Sequence, residues 1–85
     1  MDFARARDFM VESQVRPSDV TDPRIVNAMR RLPRERFVPA AKRTIAYGDL
    51  EVEVAPGRVL IRARDLAKLI QNLAQVFFGF NWLDT

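Results

Sequence analysis

Leu73-Ala74-Gln75-Val76-Phe77-Phe78-Gly79-Phe80-Asn81-Trp82-Leu83-Asp84-Thr85 reads as a helix end, a turn at Gly79 and an apolar strand that closes on an acidic residue. Residues 80–83 carry large apolar side chains at alternate and adjacent positions, the pattern of a central parallel strand covered on both faces. In a nucleotide-type α/β domain such a strand runs directly into a glycine-rich loop, whose N–H groups approach a ligand closely because no side chain intervenes. This sequence stops at Thr85 instead. The expectation is the front portion of a larger α/β protein, ending at the first strand of its sheet. A membrane-interfacial tail is the competing reading of Phe77, Phe78, Phe80, Trp82 and Leu83, but the segment is short and no basic face accompanies it.

Upstream, Leu66, Leu69, Ile70, Leu73 and Phe77 recur at three- and four-residue steps, which predicts a helix from about Arg64 to Val76. Asp49, Glu51 and Glu53 alternate with Leu50, Val52 and Val54, the two-residue period of a half-buried strand. Pro56-Gly57 then supplies a turn with the positive φ that glycine accepts, and Arg58 to Ile61 is a second short strand. Asp22-Pro23 marks a helix start, because the Asp side chain accepts from the free N–H groups of the first turn and Pro at the first position loses no hydrogen bond. Ile25, Val26, Met29 and Leu32 form the buried stripe of that helix, and Pro33 ends it. Residues 34–38 form a short turn before Pro39, with one more helical turn over residues 40–46. Phe3, Ala6, Met10 and Ser13, with Phe9 beside them, predict a first amphipathic helix over residues 2–14, its other face bearing Arg5, Arg7, Asp8 and Glu12. The chain is thus mostly α with a short β-hairpin, one partial domain: a helical region (1–48), a hairpin (49–62), a helix (63–78) and a strand (79–85).

At 85 residues and 48% hydrophobic composition, a compact fold buries roughly 60 to 65% of its unfolded surface, so stability is marginal. The chain has neither Cys nor His, which removes thiolate nucleophiles, Cys/His zinc sites and imidazole bases. Ser13 and Ser18 are then unactivated hydroxyls. The net charge is +3 and is uneven, with ten Lys/Arg against six Asp/Glu in residues 1–43 and four against five thereafter. No apolar run is long enough to span a bilayer, and the N-terminus lacks a signal peptide's apolar core, so a cytoplasmic location is expected.

Two further groups hold candidate chemistry. The carboxylates Asp49, Glu51 and Glu53 share one strand face and read as its wet side, with a hard-cation site or an acid/base pair as the sharper alternative. Arg30, Arg31, Arg34 and Arg36 are suited to gripping phosphates. No aromatic platform alternates with them, which favours a solvated face and makes nucleic acid an unfavoured partner.

Several blocks together resemble one family. They are residues 14–23 (Gln-Val-Arg-Pro-Ser-Asp-Val-Thr-Asp-Pro), Ala28-Met29, residues 32–41 (Leu-Pro-Arg-Glu-Arg-Phe-Val-Pro-Ala-Ala) and Ala46-Tyr47-Gly48-Asp49. The P-R-E-x-F-V-P block with A-Y-x-D about seven residues on is similar to the N-terminal region of protein-L-isoaspartate O-methyltransferases, closest to the short bacterial branch. The resemblance covers essentially the whole chain, with Leu83-Asp84 falling on the acidic opening of the family's cofactor motif. It implies an α/β fold, S-adenosylmethionine as methyl donor, and carboxyl methylation of isoaspartyl residues in protein repair.

It also exposes two departures. The family's segment after the turn carries a serine whose hydroxyl lies near the reacting carboxylate. Here Arg58, Val59, Leu60 and Ile61 form the corresponding substrate-side segment, and Ile61 occupies the serine position, so no catalytic residue carries over. Of the cofactor-binding motif only Asp84 is a remnant, and the expectation is that the chain alone binds no S-adenosylmethionine, being truncated and inactive by itself. The apolar end, having no sheet neighbours, is expected to pair with a second copy through residues 77–84. The alternative is a small basic helical module that binds protein or nucleic acid through residues 30–36.

Overall fold

The computed structural model describes residues 1–78. Helix α1 (Phe3–Met10) starts where the side chain of Asp2 accepts from the N–H of Arg5 at 3.1 Å. It runs on through a wider π turn (Val11–Val15) and a tight 3-10 turn (Arg16–Ser18). The π turn swings Val11 and Val15 into full burial beside Met10. Phe3 and Ala6 pack against that core as their spacing predicts, but Phe9 and Ser13 do not. Phe9 lies about 100° round the helix from Met10 and stays exposed. Ser13 turns its Oγ back onto the Phe9 carbonyl at 2.7 Å.

Asp19 takes the left-handed conformation at φ 61°, which a short polar side chain tolerates, and turns the chain toward α2 (Pro23–Arg31). As the sequence predicts, Asp22 caps α2 by accepting from Arg24 N at 2.9 Å, and Pro23 opens it. Ile25 and Met29 are buried and Val26 is half-buried, whereas Leu32, the last member of the predicted stripe, caps the helix in extended conformation and is exposed. Tight turns follow at Arg34–Phe37 and Ala40–Ile45.

The hairpin is shorter than the alternation suggests. Strand β1 (Val52–Ala55) pairs antiparallel with β2 (Arg58–Leu60), in the register Val52 to Leu60 and Glu53 to Val59, with an irregularity before Ala55 pairs Arg58. Gly57 turns it at φ 72°. Residues 48–50 bend and residue 51 does not pair; Asp49 bonds to Arg64 at 2.9 Å and Leu50 N to the Gly48 carbonyl. Val52 is fully buried on the core side.

Helix α3 (Ala63–Phe78) is present over the bounds of the helical segment 63–78, and its apolar stripe does not face the core. It packs on α2 and on the π turn through Ala63, Ala67 and Gln71, all buried. The stripe of large side chains lies about 100° away, with Leu66 half-buried and Leu69, Ile70, Leu73 and Phe77 exposed. The physical reason is close approach, since small alanines let α3 sit against its neighbours. Gln71 is held there by three hydrogen bonds: Oε1 accepts from Thr21 N (2.8 Å) and Asp22 N (3.0 Å), and Nε2 donates to the Asp19 carbonyl (2.9 Å). The predicted strand at residues 79–85, and with it Asp84, lies outside the described residues.

Candidate functional site

The two blocks that carry the family resemblance meet in space. Glu35, in the tight turn after Pro33, accepts from the Tyr47 hydroxyl. Arg7 of α1 donates its Nε to the Tyr47 oxygen at 2.9 Å and its Nη2 to Glu35 Oε1 at 3.0 Å. Both Glu35 and Tyr47 are buried. Beside them the buried Arg34 donates Nε to the Ala46 carbonyl at 2.6 Å and Nη2 to the Ile61 carbonyl at 2.7 Å. One compact knot thus ties α1, both tight turns and the end of the hairpin together. Gln14 adds a further tie, its Nε2 donating to the Tyr47 carbonyl at 2.9 Å.

The electrostatics of the knot are those of a strut. Burial pushes Glu35 up, but the hydrogen bonds from Tyr47 and Arg7 outweigh it and hold the carboxyl below its usual range. Burial, then the Glu35 hydrogen bond, pushes the Tyr47 phenol up, so it stays protonated and donating. The Tyr47 hydrogen bond raises Arg7 further. Burial lowers Arg34, whose only partners in the knot are carbonyls. A general base near neutral pH needs a carboxyl shifted up or a cation shifted into that range; Glu35 and Tyr47 are shifted in the opposite sense. The hydroxyls of Ser13 and Ser18 donate to the carbonyls of Phe9 and Gln14 and have no base beside them.

The substrate-side segment inferred from the resemblance is placed at the edge of the molecule. Arg58 and Val59 are exposed on β2, while Leu60 and Ile61 are half-buried. Ile61 accepts from Arg34 Nη2 through its backbone carbonyl at 2.7 Å. The three carboxylates do not converge. Asp49 pairs with Arg64, Glu51 and Glu53 are exposed, and Glu53 contributes its backbone carbonyl to Lys42 at 2.8 Å. Among the described residues no group of three such side chains is disposed to hold a metal ion. The arginines also disperse. Arg34 is buried, Arg30 pairs with Glu12 and with Asp8 (3.6 Å), and Arg31 and Arg36 are exposed. Among the described residues no helix is long and apolar enough to cross a membrane.

Sequence reasoning marked Glu35 and Tyr47 only as motif letters and put Arg7 on the outer face of the first helix. The signal was there in the spacing: Arg7 is four residues after Phe3 and three before Met10, squarely on the buried stripe. Nothing in the spacing announced Gln71 as a buried group.

The chain is 35% identical over 71 residues to protein-L-isoaspartate O-methyltransferase 1 of Rhodopseudomonas palustris strain HaA2, a match covering 84% of this chain and 29% of that protein. It is 38% identical over 73 residues to the protein-L-isoaspartate O-methyltransferase of Methylorubrum extorquens strain PA1, covering 86% and 32%. The enzyme of the same name from Syntrophotalea carbinolica matches at 36% over 73 residues, covering 86% and 34%. The chain spans about a third of the length of these curated relatives and is similar to their N-terminal part. No protein-family model matches it.

Proposed function

We propose that these residues act as the substrate-side cap of an S-adenosylmethionine-dependent methyltransferase that methylates the free carboxylate of isoaspartyl residues, a cytoplasmic protein-repair reaction, and that the chain by itself neither holds the methyl donor nor turns over. The observation that carries the reading is the bond from Arg34 to the Ile61 carbonyl. Through it, the P-R-E-x-F-V-P block fixes the backbone of the segment that, by resemblance, faces the substrate carboxylate. Similarity to three isoaspartate methyltransferases over more than four fifths of the chain supports it. Isoleucine at position 61 supplies no hydroxyl there, so the cap is shaped for the role without a polar contact at that point.

The test is a chimera. Residues 1–62 of this chain replace the matched segment of the Methylorubrum extorquens relative, and binding of S-adenosylmethionine and methylation of an isoaspartyl peptide are both measured. The expected result is donor binding intact, weak methylation, and a gain of at least about tenfold on Ile61→Ser, the value of one added hydrogen bond to a charged group. Intact donor binding with no methylation in either chimera overturns the reading. Separately, the 85-residue chain is expected to show no calorimetric binding of S-adenosylmethionine tighter than about 1 mM, the affinity below which a specific pocket is absent.

A further inference from the structure

We infer that the narrow cleft beside Arg34 is a binding site for a small free carboxylate with a short apolar tail. The inference is separate from the methylation reading, and its test needs no isoaspartyl substrate. Arg34 is only 5% exposed, yet its partners are two neutral groups, the Ala46 and Ile61 carbonyls at 2.6 and 2.7 Å. No carboxylate among the described residues forms an ion pair with it. Glu35, next to it in sequence, is taken up by Arg7 and Tyr47. The third nitrogen of the guanidinium, Nη1, makes no hydrogen bond with the described residues. It is not sealed away, because Gln14 Oε1 is the only side-chain polar atom among them that is both buried and unpaired.

A buried cation without a counter-charge selects an anion. The fold has already taken this guanidinium out of water and fixed it on two carbonyls, so an incoming anion meets a preorganised partner whose desolvation is complete. The cleft then chooses among anions. It measures about 50 Å³, and apolar side chains line it with Arg34: the buried Met10 and Met29, the half-buried Leu60 and Leu66, and the exposed Leu32 and Phe37. That is room for about four water-sized groups at about 10 to 15 Å³ each. A carboxylate and the first carbon of its chain fill it, and further carbons lie against Leu32 and Phe37. The planar carboxylate matches the guanidinium edge. A phosphate dianion brings a second charge that nothing in the apolar lining balances.

An NMR titration of the 85-residue chain with sodium butyrate at about pH 7, where the acid is ionised, tests the inference, with butyramide as the neutral probe of the same shape. Butyrate is expected to shift the Arg34 Nε–H signal and the Leu60 and Leu66 methyl signals saturably, with a Kd on the order of 1 to 10 mM, the range open to so small a ligand. Butyramide is expected to bind at least about tenfold more weakly. Leu66→Glu, which puts a tethered carboxylate into the cleft, is expected to abolish butyrate binding with the far-ultraviolet helix signal kept. Arg34→Lys keeps the charge without the fork and is expected to weaken binding at least about tenfold. Equal binding of butyrate and butyramide overturns the inference, and so does a response confined to the exposed Arg31 and Arg36. The last arm is a chimera carrying residues 1–78 of this chain in place of the matched segment of the Methylorubrum extorquens relative, which is expected to bind butyrate as well. A chimera that binds S-adenosylmethionine but not butyrate overturns the inference, since the counter-charge of Arg34 then comes from the rest of a longer protein.

Discussion

The knot around Glu35 and the outer face of α3 are opposites in how they treat their chemistry. In the knot, polar groups are buried and almost all find partners, so Arg7, Arg34, Glu35 and Tyr47 fix the relative placement of four elements. On α3, large apolar groups face outward while two alanines and a glutamine face the core. The comparison teaches that the residues by which this chain resembles its relatives act structurally here. They tie the helical turns to the hairpin, while the large apolar side chains of α3 stay exposed.

The largest effect is expected where the knot is cut. Arg34→Met leaves the Ala46 and Ile61 carbonyls without their donors and is expected to destabilise by about 2 to 4 kcal/mol, since each buried group left unpaired costs about 1 to 3. Urea unfolding reads it as a lower midpoint with an unchanged slope. A loss under about 0.5 kcal/mol, the range of ordinary surface changes, means that water replaces the guanidinium and that the knot is not a strut. Gln71→Leu comes next, at about 2 to 3 kcal/mol, because the N–H groups of Thr21 and Asp22 lose a common acceptor. This variant sharpens the comparison, for it adds apolar volume to α3 and is still expected to destabilise. Asp22→Ala removes the cap of α2 together with the 3.4 Å contact to Arg24 Nε and is expected to cost about 1 to 2 kcal/mol.

The dependence on pH follows from the same groups. The folded-state pKa of Glu35 is depressed, so its contribution is fully present above the usual carboxylate range and is lost as pH falls through the lower folded value. Thermal midpoints are therefore expected to drop on acidification below about pH 4.5, and less so in Glu35→Gln, measured against its own neutral-pH midpoint. Tyr47 is shifted up, so its contribution is present below the usual phenol range and is lost at more alkaline pH. Equal acid sensitivity in wild type and Glu35→Gln contradicts the place given to Glu35.

Local signals carried most of the fold. Asp22-Pro23, Pro33 and Pro56-Gly57 punctuate the chain where the structure turns, because caps and φ restrictions act within a few residues. The outward rotation of α3 was not legible, since periodicity finds an apolar stripe without saying what it faces. The π turn at Val11–Val15 was hidden for a related reason: a single extra residue in a turn changes which side chains are buried and leaves no compositional mark. Of the candidate site, the motif letters were readable, whereas their joining depends on Arg7, which lies 28 residues from Glu35 and 40 from Tyr47 in sequence. The arginine cluster illustrates the converse, neighbours in sequence that the fold sends into the core, into ion pairs and into solvent.

The most direct test of the contrast is a paired urea titration of Arg34→Met and Leu73→Asn. The account predicts that the first loses about 2 to 4 kcal/mol and the second less than about 0.5. Equal losses from the two variants, or a larger loss from Leu73→Asn, contradict it, because the exposed face of α3 is then part of the chain's own core.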